Sequence, residues 1–208
     1  MTNTDTDLVN TVANYYASKL VQHGATPPGV DWNSAESQHL RFEQFMTLVS
    51  DPDASVCDYG CGYGAMLDYL RARGHRGEYV GFDAAGTMID EARARHAADR
   101  SASFTGVRED VRVADFTVAS GIFNVRLATP ADRWRTYIGD TIHDLASVSR
   151  RGFGFNVLST CSDPARRRDD LYYADPRDIF DYCMERWPRR VALAHDYGLY
   201  EFTVTVRL

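Results

Sequence analysis

No run of about 18 apolar residues, the least a helix needs to cross a bilayer, occurs anywhere in the sequence, so no membrane span is expected. A basic stripe is missing as well. The net charge is −6 and the isoelectric point is about 5.5, whereas binding to duplex nucleic acid draws most of its affinity from Lys and Arg on phosphates. The one basic cluster, Arg166-Arg167-Arg168, runs straight into Asp169-Asp170 and reads as a solvated turn. No nucleic-acid partner is therefore expected. Cysteine is scarce, with four residues at 57, 61, 161 and 183. Only Cys57 and Cys61 are close, and without a matching second pair they do not make a metal site. The opening MTNTDTDLVN is polar and acidic, unlike a signal or transit peptide, which points to a cytoplasmic protein with reduced thiols. Repeats, low-complexity tracts and linkers are also lacking.

What remains fits one domain over 1–208, with 44% hydrophobic and 25% charged residues. A chain of this length buries roughly 70% of its unfolded surface and needs no staples. Leu8, Val12, Tyr15, Tyr16 and Leu20 recur at helical spacing up to about His23, and Gly24 to Gly29 break that helix. A second helix is expected from Asn33 or Ser34, either of which could cap it, to about Val49. Residues 1–49 thus form a helical cap ahead of a core at 50–208. In that core strands and helices alternate. The expected strands are 55–58, 78–82, 103–107, 114–119, 152–158, 190–194 and 200–206, and the expected helices are 65–73, 86–96, 130–149 and 176–187. Such alternation predicts an α/β fold, a doubly wound and mostly parallel sheet with helices on both faces. The last two strands form a hairpin, which puts one antiparallel C-terminal strand into the sheet.

Two features carry chemistry. The first is Val56-Cys57-Asp58-Tyr59-Gly60-Cys61-Gly62-Tyr63-Gly64, a strand that enters a glycine turn and then a helix. Glycines accept positive φ and let a ligand approach the backbone, and this turn lies where doubly wound sheets bind ligands. The second is Asp83 at the tip of the next strand, placed to accept hydrogen bonds from the hydroxyls of a ribose. The dinucleotide fingerprint is G-x-G-x-x-G, whereas the spacing here is G-x-G-x-G. Asp58, two residues before the first glycine, would repel a pyrophosphate and suit a ligand with a cationic amino group.

The string Asp58-x-Gly60-x-Gly62-x-Gly64 followed by Asp83 resembles the signatures of class I S-adenosylmethionine-dependent methyltransferases. The motifs span about residues 55 to 127, and the element order extends the likeness over the rest of the chain. The resemblance implies a Rossmann-like, seven-stranded sheet and S-adenosyl-L-methionine as cofactor. It places Asp58 by the cofactor's amino group, Gly60, Cys61 and Gly62 beneath it, Asp83 and Ala84 at the ribose and Met88 near the adenine. Ser120 would end the fourth strand beside the reactive methyl, and Arg41 would pair with the cofactor's carboxylate, with Trp32 and Gln38 as further cap candidates. Arg41 reads equally as a solvated helix residue.

Methyl transfer gains mainly from holding two atoms in line and close together, so a dedicated base is optional. No catalytic residue is assigned. Ser120-Gly121-Ile122-Phe123-Asn124 is not the Asn/Asp-Pro-Pro-aromatic tetrapeptide of the amide and adenine-N6 enzymes. That departure and the acidic charge favour a small-molecule acceptor, such as a sugar, an amino acid or a natural-product intermediate. Transfer or cyclisation of the aminocarboxypropyl arm and a non-catalytic cofactor-binding module remain as alternatives. Asn124, Tyr172, Tyr173, His195 and Tyr197 are the candidate pocket residues. Asn124 could equally cap a turn, one of the two Tyr residues is expected in the core, and His195-Asp196-Tyr197 reads first as a structural turn. Asp175 is read as the N-cap of the following helix rather than as a catalytic group, and His143 as a satisfied or surface histidine. A monomer or a homodimer is expected.

Overall fold

The computed structural model describes residues 3–208. Two helices come first, α1 (Asn3–His23) and α2 (Ala35–Phe45), joined through a 3-10 turn at Pro27–Val30. Ser34 caps α2 by accepting from the Ser37 N–H, and the Ser37 hydroxyl returns a contact to the Ser34 N–H. The strands are β1 (Val56–Tyr59), β2 (Tyr79–Phe82), β3 (Ala102–Thr105), β4 (Ala114–Ala119), β5 (Ser149–Leu158), β6 (Val191–Ala194) and β7 (Glu201–Arg207). Between them run α3 (Ala65–Ala72), α4 (Gly86–Arg95), α5 (Ala131–Ser147) and α6 (Pro176–Arg186).

One seven-stranded sheet has the order β3-β2-β1-β4-β5-β7-β6. Strands β1 to β5 pair in parallel, and β7 runs antiparallel to both β5 and β6. The fold is therefore a Rossmann-like, mostly parallel sheet with its reversal at the C-terminal end. Strand order switches direction between β1 and β4, and ligands in doubly wound sheets bind in the crevice above such a switch point.

Strand alternation divides the apolar side chains between two clusters. Val56, Phe116 and Val118 face Phe42, Phe45, Met66 and Leu70 of α2 and α3. Cys57, Tyr59 and Ala119 face the other way, with Trp134, Ile138 and Ile142 of α5. The Gly-Phe-Gly-Phe run in β5 follows the same division. Phe153 and Phe155 join the α5 cluster, while a Cβ on Gly154 would come within 3.0 Å of Phe45 and one on Gly152 within 2.9 Å of Leu48. Small residues there let the α2 side close onto the sheet.

The element boundaries differ modestly from expectation. α2 ends at Phe45 rather than near Val49, because the Met46 N–H turns back to the Glu43 carbonyl and the Leu48 N–H to the Phe45 carbonyl, three-residue contacts that replace the four-residue helical pattern. β5 begins three residues early, at Ser149, and β3 lies at 102–105 rather than 103–107. No helix among the described residues is long and apolar enough to cross a membrane.

Candidate active site

A cleft of about 1090 Å³, counting its open mouth, lies over the C-terminal ends of β1, β2 and β4. Its floor is Asp58 to Gly62, Phe82 to Ala84 and Ser120 to Ile122. Its roof is α1, through Val9, Val12, Ala13 and Tyr16, together with Val30, Trp32 and Gln38. Tyr137 and Thr141 of α5 close one side.

The glycine turn is held by the neighbouring strand. The N–H groups of Gly60 and Cys61 both donate to the Phe82 carbonyl, at 2.7 and 2.9 Å. Gly60 and Gly62 take φ values of +86° and +54°, which side chains rarely tolerate. A Cβ on Gly60 would also sit 2.2 Å from Ile122. The turn is a cradle of bare backbone at the cleft floor.

Two carboxylates flank that cradle. Asp83 accepts from the Gly62 N–H at 2.9 Å and from the Ala85 N–H at 2.8 Å, one bond to each oxygen. A carboxylate has about four acceptor positions, so two remain for a ligand in the cleft. Burial raises the Asp83 carboxyl from its usual value, and the two N–H groups oppose that rise. Asp58 is only 3% exposed and receives a single hydrogen bond, from the Tyr79 hydroxyl at 2.6 Å. Burial pushes it up to about 7, against the Tyr79 bond and with some help from the charge of Asp83. Among the described residues no Lys, Arg or His lines the cleft. A buried carboxylate without a cation costs free energy unless it takes up a proton or a positive partner. The site therefore suits a ligand that brings positive charge of its own.

The exit from β4 is fixed by a residue that the sequence did not single out. Asn156, fully buried on β5, accepts from the Gly121 N–H at 2.7 Å and donates to the Ser120 hydroxyl at 3.2 Å. Its one signal in the sequence is a polar side chain inside the apolar run Gly152–Leu158. Tyr16, Tyr137 and Thr141 also reach the cleft. Tyr16 was legible only as a member of a helical stripe, and Tyr137 and Thr141 only as part of the helix expected at 130–149.

Of the residues picked from the sequence, Asp58, Gly60, Cys61, Gly62, Asp83, Ala84, Met88 and Ser120 line this one cleft, as do Trp32 and Gln38. Six others lie off its wall. The Arg41 guanidinium is taken by Glu201, with Nε 2.9 Å from Oε1, and Nη1 donates to the Ser37 carbonyl. Asn124 accepts from the Leu158 N–H through its side chain and from the Tyr172 N–H through its carbonyl, which ties two loops together. Tyr172 is buried in the α5 cluster, and the Tyr173 hydroxyl accepts from the Arg168 N–H. His195 is exposed against Phe202, and Tyr197 pairs with the Thr203 hydroxyl at 3.0 Å. The β6–β7 connection belongs to the sheet's edge, separated from β4 by β5 and β7. Asp175 caps α6 by accepting from the Arg177 N–H, and His143 is exposed beside Tyr182 and Trp187.

Comparison with known proteins agrees with this geometry. Residues 56–148 match a family model described as a methyltransferase domain. A protein of Mycobacterium tuberculosis (strain ATCC 25618 / H37Rv), provisionally named a methyltransferase, is 49% identical over 163 residues, which is 78% of this chain and 98% of the relative. Among solved structures, DhpI in complex with S-adenosylhomocysteine is similar with a TM-score of 0.64 at 15% identity, over 96% of both chains. The magnesium protoporphyrin IX methyltransferase of Synechocystis PCC 6803 with bound S-adenosylmethionine is similar with a TM-score of 0.59 at 15% identity, over 83% of this chain and 79% of that one. Those two likenesses speak to the fold, and the family assignment rests on the mycobacterial relative and the matched domain. The chain belongs to the class I S-adenosylmethionine-dependent methyltransferases.

Proposed function

We propose that the cleft over β1, β2 and β4 holds S-adenosylmethionine and that the enzyme methylates a small-molecule acceptor admitted beneath α1. The observation that carries this reading is the pairing of Asp58 and Asp83 around a bare glycine turn, in a cleft without a basic side chain. When bound, the cofactor supplies an electrophilic methyl on a positively charged sulfur. Asp83, aimed by the Gly62 and Ala85 N–H groups, accepts the ribose hydroxyls. Asp58 receives the ammonium group and so gains the partner that the protein does not provide. Ala84 and Met88 border the adenine, and Ser120, held by Asn156, borders the reacting end.

Orientation is the main contribution available to this site. Methyl transfer is a displacement in which holding two atoms close and in line removes most of the entropic barrier. The roof residues from α1 and the Val30–Trp32 segment cover a mostly apolar chamber, which limits the water that reaches the reacting atoms. A duplex nucleic acid would need cationic contacts along its backbone, and the net charge of −6 works against them. Four free cysteines, three of them buried, support a reducing cytoplasmic setting.

The test uses label. The enzyme is incubated with methyl-labelled S-adenosylmethionine and a whole-cell extract, which is then separated into small-molecule, RNA and protein fractions. Label is expected in the small-molecule fraction. Label in RNA or protein instead would contradict the acceptor assignment.

A further inference from the structure

Trp32 sits where the roof of the cleft meets the end of β4, and the structure invests much in keeping it there. The edge of its indole fills the space that a Cβ on Gly121 would need, with Cζ2 only 2.5 Å and Cη2 2.7 Å from that point. Gly121 has φ +84° and is anchored through its N–H to Asn156. Nothing but glycine at 121 allows the ring to lie against the main chain next to Ser120. On its other side Trp32 carries the Arg41 guanidinium, with Cζ 3.9 Å from the ring centroid.

Arg41 is itself immobilised. Glu201, the first residue of β7 and 1% exposed, grips its Nε and Nη2, while the Ser37 carbonyl takes Nη1. A buried ion pair is weak as a source of stability, because desolvating both charges offsets most of the attraction. A bidentate guanidinium stacked on an aromatic ring does give fixed geometry. Facing into the same cleft is Tyr16, whose hydroxyl makes no hydrogen bond to any described residue. A lining phenol with an open hydroxyl has its hydrogen-bonding capacity free for a ligand.

From these contacts we propose that Trp32 and Tyr16 form the acceptor subsite, Trp32 as the aromatic wall and Tyr16 as the polar handle, and that Arg41 and Glu201 are positioning residues that act through Trp32. The proposal rests on the cofactor placement above. The acceptor class that fits is a small ring compound that is neutral or cationic. An indole wall stacks on planar rings and favours cations over anions. The cleft adds two carboxylates and no basic side chain, so an anionic acceptor would meet repulsion without a counter-charge.

The test is ligand-observed NMR on full-length protein loaded with S-adenosylhomocysteine, using three fragment sets: phenols, protonated arylamines and aromatic carboxylates. Phenols and arylamines are expected to bind, and carboxylates to bind at least about ten-fold more weakly. Trp32→Ala should weaken the first two sets by about ten-fold, the scale of a lost aromatic contact, while S-adenosylhomocysteine affinity is retained. Trp32→Phe serves as the milder variant if the alanine protein does not fold, and should lose less. Arg41→Lys should weaken the fragments in the wild-type background and have no further effect in the Trp32→Ala background, which a general structural role would not produce.

Carboxylates binding as well as phenols, fragments insensitive to Trp32, or no fragment binding at all would overturn the proposal. So would equal losses of fragment and S-adenosylhomocysteine affinity in Trp32→Ala. Failure of S-adenosylhomocysteine to bind the wild-type protein is a separate result, and it would overturn the cofactor placement together with the subsite built on it.

Discussion

Asp58 and Asp83 stand at the tips of adjacent strands, yet their environments differ enough to separate their behaviour. Asp83 is half-buried and held by two backbone N–H groups, so it works as a fixed acceptor. Asp58, 3% exposed at the cleft floor, has one phenolic donor, and burial raises it to about 7. A folded-state value above the unfolded one stabilises the ligand-free protein at low pH, and that contribution is lost as the pH rises through about 7. A cationic ligand binds the carboxylate form. Affinity for S-adenosylhomocysteine should therefore rise from pH 6 to pH 8, and the ligand-induced gain in Tm should be larger at pH 8. Asp58→Asn should flatten both trends, and calorimetry with thermal melts at the two pH values would show it. A pH-independent affinity in the wild-type protein would remove Asp58 from the ammonium site.

At the scale of elements, the contacts that place the site divide into local and long-range ones. Local ones were legible. Asp175 before Pro176 reads as an N-cap, and in the structure it accepts from the Arg177 N–H. Asp175→Ala should cost about 1 kcal/mol and lower Tm by about 2–4 °C, with ligand binding untouched. The long-range ones left no trace in the pattern. Arg41 and Glu201 lie 160 residues apart, and a lone Arg on a helix and a lone Glu at a strand start carry no mutual signal. Reading Arg41 as a carboxylate clamp followed from residue type and position in the cap, without sight of the partner that occupies it. Removing that partner leaves a buried cation. Glu201→Ala should therefore cost about 3–5 kcal/mol, a loss of roughly 10 °C in a melting curve. A change under about 1 kcal/mol would mean that the pair is open to water in solution.

Across the whole molecule, the sheet was readable because strand and helix periods alternate so regularly from Val56 to Val206. The same regularity placed the glycine turn and Asp83 over the switch point between β1 and β4. Pocket residues from the later loops were not readable on that basis. Asn124 reads equally as a pocket or a turn residue and one of Tyr172 and Tyr173 as core, and in the structure all three close the loops after β4 and β5, with Tyr172 buried. His195 and Tyr197 belong to a hairpin at the sheet's far edge. The cleft is instead completed by the N-terminal roof, whose Tyr16 and Trp32 meet the core only in three dimensions. An adjacent-residue pattern records which face of an element is apolar, and says little about which distant element covers it.

Calorimetric titration with S-adenosylmethionine and S-adenosylhomocysteine is the decisive test of the proposal that Asp58, the glycine turn and Asp83 form the cofactor site. Both should bind the wild-type protein, and Asp83→Ala should weaken them by about 1.5–3 kcal/mol, the value of a hydrogen bond to a charged group. Circular dichroism on the variant separates that loss from misfolding. No binding of either compound by the folded wild-type protein, or full affinity in a folded Asp83→Ala variant, would rule out this cofactor site.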